Sequence, residues 1–152
     1  MLRGISTLNL DTKGRLAIPS RFREQLADMC ENQLVLTLNL LDRCLWLYPL
    51  PQWEIIDAKL GALSDFDKQS RRTKQMMLGY ATECAYDSQG RILIPPVLRE
   101  FAGLKNKITI LGQRNKLEIW DDERWSQQRD ELLDHFGKET GEPSELLRQL
   151  AL

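Results

Sequence analysis

Asp11-Thr-Lys-Gly-Arg-Leu-Ala-Ile-Pro-Ser-Arg-Phe-Arg-Glu24 and Asp87-Ser-Gln-Gly-Arg-Ile-Leu-Ile-Pro-Pro-Val-Leu-Arg-Glu100 align without a gap, and seven of their fourteen positions are identical. The identities are Asp11/Asp87, Gly14/Gly90, Arg15/Arg91, Ile18/Ile94, Pro19/Pro95, Arg23/Arg99 and Glu24/Glu100. With slightly shorter spacing the match resumes downstream, where Leu45-Trp-Leu-Tyr48 and Trp53 meet Leu117-Glu-Ile-Trp120 and Trp125. The chain therefore reads as a tandem duplication of one half-unit.

Each half can be read outward from its repeated stretch. Ile5 to Leu10 and Arg15 to Ile18 have strand character on either side of Asp11-Thr12-Lys13-Gly14, where Asp can bond the turn backbone and Gly can take positive φ. The expectation is a tight β-hairpin. Alternation places Leu16 and Ile18 on one face with Arg15 and Ala17 on the other, and Ile92, Ile94 and Arg91 repeat that pattern. Pro19 and Pro95 end these strands and can open a helix, since a fixed φ helps there and the missing N–H is not needed. Phe22, Leu26 and Met29, and then Leu98, Phe101 and Ala102, follow at helical spacing.

A second hairpin is expected after each short helix, from Leu34–Leu40 with Cys44–Tyr48 and from Lys107–Leu111 with Lys116–Trp120. Longer helices follow. One starts near Pro51 with Trp53, Ile56, Leu60 and Leu63 on a stripe, and the other spans Asp122–Phe136 with Trp125, Leu132 and Phe136. The organisation is thus residues 1–63 as the first repeat with its long helix, 64–79 as a basic helical connector stopped by Gly79, 80–143 as the second repeat, and 144–152 as an amphipathic tail. Gly137–Pro143 breaks the chain, and the tail opens on a capping Ser144 and carries Leu146, Leu147, Leu150 and Leu152.

Composition bounds the rest. Of 152 residues, 42% are hydrophobic and 28% charged, with a formal net charge of −1, which describes an ordinary globular protein. The longest uncharged apolar run, Leu34–Leu41, is too short to cross a bilayer, and Met1-Leu2-Arg3-Gly4 does not lead into a signal-peptide core, so a cytoplasmic protein is expected. Cys30, Cys44 and Cys84 are odd in number and widely spaced, and His135 is the one histidine; these spell neither a disulfide framework nor a metal site, and three buried, reduced thiols are expected. No cofactor and no small-molecule substrate is indicated. The charge is polarised, however. Arg3, Lys13, Arg15, Arg21 and Arg23 face one acid, Asp11, whereas Glu118–Leu152 holds ten acids against four bases.

The repeated Asp-[Thr/Ser]-x-Gly-Arg turns carry the main functional signal. A guanidinium displayed on a rigid hairpin can reach phosphates or guanine edges bidentately, and two such ribbons in register would fit a duplex groove, with Lys13 adding a phosphate contact. Asp11 and Arg15 can equally pair across the turn and hold the hairpin, as can Asp87 and Arg91, and the two roles are compatible if the carboxylate orients the arginine. A different class of reading is an aspartyl-type hydrolase, in which Asp11 and Asp87 would share one proton. Lys13, Arg15 and Arg91 beside them argue for two ionised carboxylates instead. His135, beside Asp134, reads as a helix-surface residue. Trp53, Trp125, Tyr48 and Trp120 suit a shared core better than a base-stacking platform. Lys68, Arg71, Arg72 and Lys74 read as a solvated helix face that could also touch DNA. The tail and the acidic helices could form subunit contacts or cover the protein's own core.

Two Asp-x-x-Gly-Arg turns running into Ile-Pro, with Leu47-Tyr-Pro-Leu-Pro-Gln-Trp-Glu54, Leu78-Gly-Tyr-Ala-Thr-Glu-Cys84 and Gly112-Gln-Arg-Asn-Lys-Leu-Glu-Ile-Trp120, resemble the bacterial MraZ family over nearly the whole chain. The resemblance implies an α+β fold, a tandem AbrB-like swapped-hairpin β-barrel built from two internal repeats with flanking helices. It also implies a nucleoid-associated transcriptional regulator of the division and cell-wall gene cluster, assembled as a closed homo-oligomeric ring on tandem short promoter repeats in double-stranded DNA. Carried over by position, DNA binding falls on Lys13, Arg15 and Arg91, with Arg3 and Gln89 added from the basic segment and the second turn. Asp11, Gly14, Asp87 and Gly90 are the hairpin-orienting residues. Gln89 standing opposite Lys13 leaves the second turn one cation short. An antitoxin-like or scaffold protein that binds another protein through its acidic helices or tail is the alternative.

Overall fold

The computed structural model describes residues 1–138 and 143–150. Eight strands and six helices are laid down among them in the order β1 (Leu2–Asn9), β2 (Arg15–Ala17), α1 (Ser20–Ala27), β3 (Leu34–Asn39), β4 (Cys44–Pro49), α2 (Leu50–Gly61), α3 (Lys68–Gly79), β5 (Thr82–Cys84), β6 (Arg91–Leu93), α4 (Pro96–Ala102), β7 (Lys107–Arg114), β8 (Leu117–Asp121), α5 (Asp122–Lys138) and α6 (Glu145–Gln149). The chain is α+β.

The two second hairpins form as expected: β3 pairs with β4 and β7 with β8, all antiparallel. They meet through β4 and β8 and make the centre of a six-stranded sheet ordered β1-β7-β8-β4-β3-β5. Its two outer strands pair with strands distant in the chain. First-half β1 lies along second-half β7 from Leu2↔Arg114 to Asn9↔Lys107, while second-half β5 lies along first-half β3.

The first hairpin of each half differs from expectation. The strands flanking Asp11–Gly14 do not form a ladder with each other and touch through one bridge, Leu10↔Leu16. Instead β2 and β6, one from each half, pair with Leu16 opposite Ile92 in a separate two-stranded sheet. The physical reason is burial: β1 gains a full-length partner in β7, and the β2–β6 pairing brings Leu16, Ile18, Ile92 and Ile94 together in the main core. Phe22 and Leu26 of α1 and Leu98 and Ala102 of α4 close over the same core. Burying the Phe22 side chain alone is worth about 2–3 kcal/mol in removed apolar surface. Pro19 and Pro95 stand just before the helical residues, and Pro96 supplies the first-turn proline of α4.

The aromatic residues form two satellite clusters rather than one shared core. Tyr48 packs 5.7 Å from Trp53 of α2, with Val35, Leu60 and Met77 of α3 in the same cluster, whereas Trp120 and Trp125 pack 5.6 Å apart beside Cys44 and Leu111. Glu118 ties the sheet at this level, its carboxylate accepting the indole N–H of Trp46 at 2.9 Å and of Trp120 at 3.0 Å. Cys44 is buried, Cys30 and Cys84 are half-buried, and all three are free thiols; burial pushes the Cys84 thiol up to about 12.

The helix α5 corrects another expectation. Trp125 is the innermost apolar residue of the anticipated stripe, while Leu132 and Phe136 are exposed and no α5 residue is fully buried. Among the described residues α5 packs on β7 and β8, Thr109 donating to Asp122 at 2.6 Å, and every residue from Glu131 to Lys138 is exposed. The expected break at Gly137–Pro143 lies partly outside the described residues; the helix itself runs through Lys138. Ser144 caps α6 as anticipated, accepting the Leu147 N–H at 3.3 Å, and Leu152 of the tail lies outside the described residues. Among the described residues, no helix is long and apolar enough to cross a membrane.

Candidate nucleic-acid interface

The two repeated turns adopt the same conformation. In the first, Asp11 Oδ1 accepts the N–H groups of Lys13 at 2.9 Å and Arg15 at 2.8 Å, and Oδ2 accepts the Arg15 Nε–H at 2.7 Å. In the second, Asp87 Oδ1 accepts from Gln89 and Arg91, both at 2.9 Å, and Oδ2 from Arg91 Nε at 2.8 Å. Backbone bonds close each loop, Asp11 N–H to Arg15 C=O at 3.0 Å and Asp87 N–H to Arg91 C=O at 2.8 Å. Gly14 and Gly90 sit at φ of 82° and 73°, a left-handed backbone that favours glycine. The backbone N–H groups aimed at each carboxylate, that of the arginine first, hold Asp11 and Asp87 below the usual carboxylate range. Both are therefore ionised at neutral pH, the reverse of what a proton-sharing catalytic pair requires.

The β2–β6 ladder sets the turns side by side. Arg15 stands opposite Leu93 and Arg91 opposite Ala17, so both arginines share one outward face. The two sites touch: Arg91 Nη1 lies 3.9 Å from Asp11 Oδ2. Each strand end also donates to the other half's turn, Ile18 N–H to Gly90 C=O at 3.1 Å and Ile94 N–H to Gly14 C=O at 2.9 Å. Each aspartate takes its arginine by Nε–H, and only Arg91 Nη1 among the terminal donors also lies near an aspartate. The ion pair and the outward display therefore coexist, as the compatible reading of the sequence required.

Lys13 and Gln89 occupy equivalent exposed positions at the turn tips. Arg3 belongs to β1 and not to either turn. It lies near the start of β1 opposite Gln113, six residues before the strand's end at Asn9, a span of roughly 20 Å at strand rise. The connector basic residues divide. Arg71 donates to the Asp65 carbonyl and Lys74 binds the Asp65 carboxylate at 2.6 Å, securing the α2–α3 turn, while Lys68 and Arg72 project from α3 into solvent. His135 is exposed on α5 beside Phe136. No group of three or more His, Cys, Asp or Glu side chains is placed to hold a metal ion among the described residues.

Three residues of the site were not picked out from sequence. Leu93 is 57% exposed on the arginine face, opposite Arg15. Arg23 and Arg99 lie behind the turns, their guanidinium groups filling the space that a Cβ at Gly90 or Gly14 would take. Their identity in the duplicated stretch was the available signal.

Fold and site together define a class: an α+β protein with a six-stranded sheet in which β1 pairs with β7 and β5 with β3, and with two arginine-bearing turns on one short ladder. The model of the MraZ protein family, described as antitoxin-like, matches the chain twice, over residues 1–76 and 77–147. The chain is 48% identical over 152 residues to the transcriptional regulator MraZ of Thioalkalivibrio sulfidiphilus (strain HL-EbGR7) and 47% identical over 152 residues to that of Escherichia coli (strain K12), in each case over the full length of both chains. The chain belongs to the MraZ family.

Proposed function

We propose that this protein is a sequence-specific, double-stranded-DNA-binding transcriptional regulator whose reading elements are the Asp11–Arg15 and Asp87–Arg91 turns. The observation that carries the reading is the paired display of Arg15 and Arg91 on one ladder, each oriented by its own ionised aspartate. A planar guanidinium so held meets phosphate or a guanine edge with little further loss of freedom. Lys13 adds a phosphate contact at the first turn, Gln89 offers an amide at the second, and Leu93 can meet a thymine methyl. Arg3 serves as a peripheral contact. The strand exchange between halves is consistent with a tandem swapped-hairpin arrangement, residues 1–63 and 80–143 forming the two units around the connector 64–79 and ahead of the tail 144–152.

The regulator acts in the cytoplasm on the nucleoid, at tandem short repeats in the promoter of the division and cell-wall gene cluster. It works as a closed homo-oligomeric ring. One turn pair makes few contacts, and linking several raises the effective concentration on repeated sites. The exposed Leu132, Leu133 and Phe136 of α5 support subunit contacts away from the turns.

The direct test is a footprint on the DNA upstream of the protein's own gene, with the Arg15→Ala variant beside it. The unaltered chain should protect a repeated element, and Arg15→Ala should lose specific binding with fold and assembly unchanged. Native-like affinity of that variant in a gel shift would sink the assignment. The exposed apolar residues of α5 and α6 also favour a second reading, an antitoxin-like or scaffold module that binds another protein. In that case deleting residues 144–152 would abolish partner binding and leave DNA affinity intact.

A further inference from the structure

Arg23 and Arg99 occupy the same place in the duplicated stretch, yet each packs behind the turn of the opposite half. A Cβ built on Gly14 would lie 2.6 Å from Cζ, 2.8 Å from Nε and 2.9 Å from Nη1 of Arg99, which belongs to α4 of the second half. A Cβ on Gly90 would lie 2.7 Å from Nη1, 2.8 Å from Cζ and 3.0 Å from Nε of Arg23, which belongs to α1 of the first half. Three guanidinium atoms at nearly equal distances mean that the flat group lies across the glycine, as a weakly hydrated planar cation can and an ammonium cannot. The backbone makes the same crossing, since Ile18 donates to the Gly90 carbonyl and Ile94 to the Gly14 carbonyl. We propose that Arg23 and Arg99 are positioning residues that cross-brace the two turns, so that the helix of each half sets the conformation of the other half's arginine-bearing turn.

The two braces are not equal. Arg23 is anchored on its own strand end, its Nε donating to the Ile18 carbonyl at 2.9 Å. Arg99 Nε is buried without a hydrogen-bond partner, so stacking on the first turn is what accounts for its place. The first turn, which also carries Lys13, is thereby the more easily loosened of the two. The crossed arrangement couples both turns: neither can relax without moving a helix of the other half.

Hydrogen exchange on the full chain tests this without DNA, using the charge-conserving Arg99→Lys and Arg23→Lys variants. Arg99→Lys should raise exchange at the Lys13, Gly14 and Arg15 amides about tenfold while Gln89, Gly90 and Arg91 stay as in the unaltered chain. Arg23→Lys should give the mirror result with a smaller rise. Loosening of each variant's own half, equal loosening of both turns, or no change overturns the proposal; Arg99→Gln serves as the variant if Arg99→Lys does not fold by circular dichroism. A second arm rests on the DNA-binding reading. On promoter DNA, Arg99→Lys should weaken binding by its full factor in Gln89→Ala, altered in the second turn, but by less in Lys13→Ala, because its effect runs through the first turn. Plain additivity in both backgrounds overturns the positioning role. Absence of binding by the unaltered chain removes the DNA reading and leaves the exchange result to decide the brace.

Discussion

At the scale of single residues the site depends on a few exchanges of role. Asp11 and Asp87 are acids in basic surroundings, and their work is to accept backbone N–H groups and one guanidinium each. Because their pKa values are depressed in the folded chain, the stabilisation they provide is fully present above the ordinary aspartate value of about 3.9 and is lost as pH falls through the lower folded value. Carboxyl-carbon NMR should therefore find both midpoints below that value; a midpoint raised above it for either residue would restore the acid-pair alternative. Gly14 faces two constraints at once, a φ of 82° and the Arg99 guanidinium where a side chain would start. Gly14→Ala should destabilise the fold by about 2 kcal/mol in denaturant unfolding and cut DNA affinity with it. A glycine at that point was legible in the sequence as a turn signal. Its second constraint was not, because it comes from a residue 85 positions away.

At the scale of elements, local pattern and long-range pairing parted company. The alternation Arg15-Leu16-Ala17-Ile18 correctly divides buried from exposed side chains, and the helical spacing of Phe22 with Leu26 correctly marks the inward face of α1. The partner of β2 does not follow from that alternation. A hairpin with the preceding strand and a ladder with β6 both place Leu16 inward, and β6 wins because it sets Ile92 and Ile94 against Leu16 and Ile18 while β1 pairs fully with β7. If that interdigitation holds the turns in place, Ile92→Ala should cost about 3 kcal/mol in chemical unfolding and weaken DNA binding through both turns, although Ile92 touches no DNA. The same limit explains α5. Its apolar spacing was readable, but what packs against it was not, and Leu132 and Phe136 are exposed.

At the scale of the whole molecule, a net charge of −1 says little about partners. The basic side chains Lys13, Arg15 and Arg91 gather at the β2–β6 ladder, whereas Asp130, Glu131 and Asp134 lie along exposed α5, which packs chiefly on β7 and β8. DNA affinity should fall steeply with salt despite the acidic total, with a slope of about −0.9 per phosphate contacted in a plot of log affinity against log salt. Lys13→Ala should reduce that slope by about one for each copy of the turn engaged and weaken binding alike on matched and mismatched sequences. A slope unchanged by the substitution would remove Lys13 from the interface.

The sequence alone determined the repeated stretch at Asp11–Glu24 and Asp87–Glu100, the turn chemistry, the buried and exposed faces of the short strands and helices, and the unequal distribution of charge. Each of these is a local property, written in residue identity and period. Tertiary structure decided which strand partners which, that the two arginine turns stand on one ladder, that Arg3 is paired with Gln113 in the main sheet, and that Arg23 packs on Gly90 and Arg99 on Gly14. Two like stretches of sequence offer like partners, so local pattern cannot choose between pairing with a near strand and pairing with a distant one. The choice falls to the arrangement that buries the most apolar surface and leaves the fewest backbone groups unpaired.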